Sequence, residues 1–270
     1  MIIVLFLFGV LAISFIIGKF IFSIRFKKEV KQLFSQSGNI SDKTFRNEQL
    51  IGLPEPAQRY FKHVLKEGQS YIRYARITHD GLFKTGLDKA WVKIKGEQYA
   101  TCGKPGFIWK GVTSMFTARD MYIKDKGRLV VSLFSVINIL DEKGAHYNQG
   151  ELLRWLGESV LYSTNLLPNE RLKWETIDAH SAKIIFNYMG LSLFFIANIN
   201  DLGEITQLES EKYMDEKHLE KWVIKIENYK VINGIKVPTS FEVLWRLQKG
   251  DFSYAKFNMI KIEYDIPEIF

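Results

Sequence analysis

The chain has 270 residues, of which 47% are apolar, 25% charged and 14% aromatic. That composition excludes a disordered or fibrous protein, and the length is ample for one large folded unit. The formal net charge is +7, but residues 1–31 hold +4 of it and leave only +3 on the rest, which excludes a folded domain carrying a basic stripe for nucleic acid.

The first element is "MIIVLFLFGVLAISFIIGKFIFSIRFKK". Ile2 to Gly18 contains no charge, and with Lys19 snorkelling the apolar run reaches Ile24. Such a length of helix spans roughly 30 Å, the thickness of a bilayer's hydrocarbon core. A cleaved signal peptide would carry a basic residue before the run and small residues after it. Here nothing basic precedes it, and Arg25, Lys27, Lys28 and Lys31 follow. The reading is a retained transmembrane anchor over residues 1–24 in a single-pass cell-membrane protein. The basic flank places the following domain in the cytoplasm. An extracytoplasmic domain is the alternative, since a large domain is exported largely regardless of that flank.

Residues 25–52 are expected to be a juxtamembrane linker, and residues 53–270 a single antiparallel β domain. In "IGLPEPAQRYFKHVLKEG", Pro54 and Pro56 suit a helix start and Gly68 its end. Ala57, Tyr60, Phe61, Val64 and Leu65 recur at helical spacing, so one amphipathic helix is expected near 55–67. From Tyr71 the apolar period becomes two. Asp80-Gly81 reads as a turn, and strand-length segments follow as far as a second helix near 149–162. A further strand run begins at Arg171 and contains Asn233-Gly234, a strong hairpin signal between "YKVI" and "IKVP". Ten to twelve strands joined by short turns imply an antiparallel meander, because parallel pairing would need crossover helices. A sheet that long curls. The expected fold is mainly β (α+β): an N-terminal transmembrane helix, then an open or half barrel covered by two helices.

Signatures of chemistry are missing. Gly81 and Gly86 have the glycine spacing of a phosphate-binding loop, but Leu87 stands where its lysine belongs. The five histidines are scattered, and His180 beside Asp178 reads equally well as a turn. Cys102, the single cysteine, reads as a buried small hydrophobe. No metal or cofactor site is expected. In "GELLRWLGESVLYSTNLLPNE", Glu151, Arg154 and Glu158 fall within about 60° of one another on a helix, beside Trp155 and Tyr162. Asn148 to Glu151 is close to a capping box. The charges read either as a solvated ion-pair stripe or as the mouth of a cavity.

Four stretches, "LPEPAQRYFKHVL", "KPGFIWKG", "GELLRWLGESVLYSTNLLPNERLKWETID" and "GIKVPTSFEVLWRLQKGDFSYAKFNMIKIEYD", together resemble a bacterial family known only as a domain of unknown function. The resemblance runs from Leu53 to Asp265 and implies no catalytic residue. It implies a fold similar to that of the lipoprotein-localisation carriers, an unclosed antiparallel barrel with helices over an apolar hollow.

The leading functional expectation is a membrane-anchored, reaction-free binding module for an apolar ligand, a lipid or a lipid-modified group. Its candidate ligand-binding residues are Phe107, Trp109, Glu151, Arg154, Trp155, Glu158 and Trp174. Phe194, Trp222 and Trp245 are further candidate walls. A membrane-associated hydrolase would use Glu151 or Glu158 as general acid or base, with Arg154 holding an anion. A structural or regulatory partner of another membrane protein would offer an exposed strand edge. The expected partners are the membrane, through residues 1–24, and a lipid or other apolar ligand. No nucleic acid is expected, and no protein partner is named.

Overall fold

The computed structural model describes residues 2–270, and the side chains of residues 1–12 and 14 fall outside that description. Helix α1 runs over Ile2–Phe34, α2 over Glu55–Val64 and α3 over Ala145–Glu158. Strands β1 (Tyr74–Phe83), β2 (Val92–Thr101), β3 (Gly106–Val112), β4 (Phe116–Ile123), β5 (Lys126–Leu133) and β6 (Ile137–Lys143) precede α3. After it come β7 (Leu172–Thr176), β8 (Ser181–Tyr188), β9 (Leu191–Ile199), β10 (Ile205–Tyr213), β11 (Leu219–Ile232), β12 (Ile235–Leu247) and β13 (Gly250–Tyr264).

Each run of strands is an up-and-down meander, and β1 pairs with β13 to join them. Among the described residues they form one antiparallel sheet in the order β6-β5-β4-β3-β2-β1-β13-β12-β11-β10-β9-β8-β7. Local turn chemistry fixes much of this. The two-residue turns Lys124-Asp125, Met189-Gly190 and Asn233-Gly234, and Phe134-Ser135 in the three-residue β5–β6 loop, all have positive φ, the geometry that matches the right-handed twist of the flanking strands. The sheet is open, and its edges are β6 and β7.

Asp80-Gly81 is not a turn but lies inside β1, where Gly81 pairs with Ile94 on one side and Phe257 on the other. A Cβ there would stand 2.0 Å from the Lys256 carbonyl oxygen, so the glycine serves a close approach of β13. Asp178 and His180 do form a turn, between β7 and β8, with the His180 amide donating to Asp178 at 2.8 Å.

Helix α3 links the two meanders and packs on β3, β4, β5 and β6 of the first and on β9 and β10 of the second. The sheet therefore curls around it. The helix begins at Ala145, four residues earlier than expected, and Asn148 does not cap it. Asn148 Oδ1 instead accepts from the Gly127 amide at 2.8 Å, docking the helix start on β5. Past Glu158 the chain tightens into a 3-10 run over Ser159–Leu166, kinked at Tyr162. This run packs on β12, and α2 packs on β8, β9 and β12 through Ala57, Tyr60, Phe61 and Val64. The predicted apolar spacing of α2 is the spacing observed. Together these helices cover the inner face, and the main core lies between.

Much of the stretch expected as a linker, 25–52, is ordered structure. Helix α1 continues to Phe34, and Asn47–Leu50 form a short 3-10 turn. Phe26, Val30, Leu33 and Phe34 pack against Tyr74, Tyr99, Ile108, Met121 and Val130 on the outer face of β1–β5. The buried Arg119 pairs with Glu29 on the same face. The expected anchor over residues 1–24 falls largely on side chains outside the description. Among the described residues, no helix is long and apolar enough to cross a membrane.

Candidate functional site

Five of the seven residues singled out in the sequence converge under α3. Their partners come from strands of both meanders, projecting inward by strand alternation. Arg154 Nη1 donates to Asp120 Oδ2 of β4 at 2.7 Å, and its Nε donates to Glu158 Oε1 at 2.8 Å. Its Nη2 reaches Gln98 Oε1 of β2 at 3.4 Å, while Gln98 Nε2 donates to Glu158 Oε2 at 2.7 Å. The guanidinium stands 5.0 Å from the Phe107 ring centroid and 4.9 Å from that of Trp109, within cation–π range of both. The Arg154 side chain is 12% exposed, so the charged stripe faces the sheet and not solvent.

Trp109 Nε1 donates to His79 Nε2 at 2.8 Å, and the His79 ring lies 4.3 Å from Phe257. An acceptor at Nε2 makes His79 a neutral imidazole, with its proton on Nδ1 facing the Asp80 carbonyl at 3.3 Å. Burial pushes its pKa down to about 4, which agrees with that state.

Glu151 is the least conventional member. It is 3% exposed, and its Oε2 has no hydrogen-bond partner; nor has Asp120 Oδ1. Lys212 of β10 lies 4.0 Å from Glu151 Oε1, with its ammonium 4.7 Å from the Trp222 ring. Burial pushes the Glu151 carboxyl up to about 8, and the Asp120 charge adds to it, against the pull of Lys212 and Arg154. Near neutral pH, Glu151 therefore keeps its proton. With Glu151 neutral, the two carboxylates of Asp120 and Glu158 stand against two cations, Arg154 and Lys212.

The ionic cluster is mostly buried. Neither Glu151, Arg154 nor Glu158 lines either of the two cavities described below, and each carboxylate faces a cation of the protein. Its chemistry is to fasten α3 across the two meanders. A hydrolase would need one of these acids to face a bound substrate.

The larger cavity lies on another side of α3, where Trp155 meets the chain that follows the 3-10 run. Its volume is ≈ 600 Å³. It opens between the β2–β3 turn, the start of β1, the chain after the 3-10 run, and residues 41–49. Ile72, Cys102, Trp155, Leu167 and Phe186 give it an apolar floor. Trp155 is pinned there by Nε1 donating to the Thr101 carbonyl at 2.9 Å and by the Phe186 ring at 5.4 Å. Burial raises the Cys102 thiol far above its ordinary range, so it contributes as an apolar group. Lys43, Arg73 and Arg171 stand at the rim against one acid, Glu170. Arg73 Nη1 lies 3.4 Å from the Cys102 carbonyl, while its buried Nε has no partner. Arg171 reaches the Gly103 carbonyl at 3.4 Å. A second depression, of ≈ 330 Å³, lies beside Asp178, His180 and Asn200 and is polar throughout save Ile199.

Trp174 belongs to neither the cluster nor the larger cavity. It packs under α2, 5.6 Å from Phe61, and its Nε1 donates to the Leu166 carbonyl at 2.9 Å. Trp222 and Trp245 are core residues against Tyr254, and Phe194 is half-buried under Lys183. Asp120, Gln98, His79 and Lys212, and the rim cations Lys43, Arg73 and Arg171, had no signal as members of a site. Strand parity could have pointed to Asp120, which alternates on one face with Ala118 and Tyr122. Among the described residues, no group of three or more His, Cys, Asp or Glu is placed to hold a metal ion.

A family model described as a family of unknown function, DUF6544, matches residues 43–257, and the chain belongs to that family. Its structural neighbours include a LolA superfamily protein from Nitrosomonas europaea, with a TM-score of 0.42 and 11% identity over 77% of this chain and 91% of that one. Another is a putative outer membrane lipoprotein-sorting protein domain from Vibrio parahaemolyticus, with a TM-score of 0.43 and 10% identity over 78% and 91%. A third is a DUF1329 family protein from Desulfovibrio piger, with a TM-score of 0.37 and 11% identity over 78% and 91%. No curated protein matches the chain.

Proposed function

We propose that this member of the DUF6544 family is a binding module for an amphiphilic ligand, held at the cell membrane by residues 1–24 with its domain on the cytoplasmic side. The observation that carries the ligand reading is the ≈ 600 Å³ cavity, with its apolar floor and cationic rim. That volume suits an acyl chain or part of one. Three cations against one acid favour an anionic head, a carboxylate or a phosphate. The half-buried Arg73, with an unpartnered Nε, is the cation best placed to gain from such a head. The membrane reading is supported by the uncharged run Ile2–Gly18, and the sidedness by Arg25, Lys27, Lys28 and Lys31 beyond it.

The test uses the full chain held in amphipol and titrated with dansyl-undecanoic acid and with its uncharged methyl ester. Saturable binding of the acid is expected. Arg73→Gln should weaken it about tenfold, the value of one charge-assisted hydrogen bond, and leave the ester unchanged. Absence of saturable binding by either probe, in protein shown to be folded, overturns the reading.

A further inference from the structure

Two hairpin tips and one helix face are apolar and exposed at the same level of α1. On α1, Ile13, Ile16, Ile17, Phe20, Ile21 and Ile24 are 51–66% exposed. At 100° per residue they share one broad stripe. The opposite side of the same stretch touches the tip of the β5–β6 hairpin. The Phe15 and Phe134 rings meet edge-on at 6.2 Å, and Val136 lies against Gly18, where a Cβ would stand 2.7 Å from it. The β3–β4 tip is joined to this one by the Phe134 amide donating to the Met115 carbonyl at 2.7 Å. The tips are apolar and open: Met115 is 59% exposed, Phe134 46%, Ile137 62% and Ile139 60%. On β6 the tip side carries Asn138, bonded to Ser132, and the first charge is Asp141, paired with Arg128.

Phe134 and Ser135 hold φ values of 51° and 64°. A bulky aromatic residue pays for that conformation, whereas Asn233-Gly234 adopts positive φ cheaply elsewhere in the sheet. The strain places a phenyl ring at the tip of the hairpin, against Phe15 of α1 and still 46% exposed.

We infer that the β3–β4 and β5–β6 tips insert into the hydrocarbon of the same bilayer that takes the apolar part of α1, so that the domain is seated in the membrane and not tethered to it. The bilayer is the occupant for a reason of order along the chain. The exposed stripe continues N-terminally into an uncharged helical run, and C-terminally it ends at Arg25, Lys27 and Lys28, where lipid headgroups would lie. Lys19 lies over the Phe15 ring at 4.6 Å, its long stem suited to reaching from apolar surface to water. The inference rests on the membrane attachment proposed above.

The experiment uses the full chain in nanodiscs of phosphatidylethanolamine and phosphatidylglycerol, with one cysteine introduced at a time and labelled with NBD; the buried Cys102 stays unlabelled. Met115→Cys and Ile137→Cys test the tips, Ile21→Cys tests α1, and Lys66→Cys, beyond the opposite end of β1, is the reference. The expected result is blue-shifted emission at 21, 115 and 137, largely lost when spin-labelled lipid is added, with Lys66→Cys unaffected. Quenching at 21 but not at 115 and 137 overturns the seated domain and leaves the anchor standing. Quenching at none of them overturns both. Oxidation of Ile137→Cys to a disulfide-linked dimer without quenching would show that a second copy covers the tips, and also overturns the inference.

Discussion

Arg154 shows how a surface-like pattern becomes an interior one. Its spacing from Glu158 is that of an ordinary i,i+4 helix pair, which contributes a few tenths of a kcal/mol in water. Buried under α3 with Asp120, Gln98 and two aromatic faces, it is the cation on which the cluster depends. Removing it leaves Asp120 and Glu158 facing each other with little access to water. Arg154→Ala should therefore cost about 3 kcal/mol or more, read as a lower urea midpoint with an unchanged slope. A loss below about 1 kcal/mol, the range of an exposed pair, would mean that the stripe is solvated after all.

Among the elements, α1 carries two roles in one helix. Its first part is apolar on its exposed face, and its second part is packed. Phe26, Val30, Leu33 and Phe34 cover the outer side of the first meander, and Glu29 neutralises the buried Arg119. Each fully buried side chain of this kind contributes about 1.5–3 kcal/mol relative to exposure. A chain beginning at Asp42 loses all four and leaves Tyr99, Ile108 and Met121 facing water beside an unpaired guanidinium. It should melt about 10 °C or more below a chain beginning at Ser23, as followed by circular dichroism. Equal melting temperatures would mean that the packed half of α1 contributes nothing to the fold.

For the whole molecule, the cluster is the clasp of the curled sheet, because Glu151 belongs to α3, Asp120 to β4 and Lys212 to β10. Its ionisation is therefore linked to global stability. The folded pKa of Glu151 lies near 8 and its unfolded value near 4.5. Between those values the folded state binds the extra proton, so this group's contribution is complete below about pH 4.5 and is lost as pH rises through 8. His79 has the opposite sign. Its pKa falls from 6.5 to about 4, so stability from this source is present above 6.5 and is lost as pH falls through 4. The two oppose each other below pH 6.5, and Glu151 acts without that opposition between 6.5 and 8. Urea midpoints measured across that window should fall for the natural chain and fall less for Glu151→Gln. Parallel curves for the two would show that Glu151 titrates normally. The cavity belongs to this scale too. It lies by the β2–β3 turn, near the C-terminal end of α1, whereas the apolar tips meet α1 around Gly18. The sixteen steps from Gly18 to Phe34 cover about 24 Å of helix, so the cavity and the apolar tips lie at opposite ends of that stretch of α1.

By itself the sequence determined the local and the repetitive. The α2 face, the Asn233-Gly234 hairpin and the antiparallel meander all follow from periodicity and turn chemistry, which are written within ten or twenty neighbouring residues. It also put Glu151, Arg154 and Glu158 on one side of a helix. Only the tertiary structure decided which way that side points, because Asp120, Gln98 and Lys212 come from strands far away in the chain and meet it only when the two meanders close around α3. The same holds for Asp80-Gly81, where a turn signal was overruled by strands pairing on both sides. It holds for the second half of α1, whose packing face is defined by a sheet not yet formed when the helix is read, and for the cavity, a gap left by long-range packing.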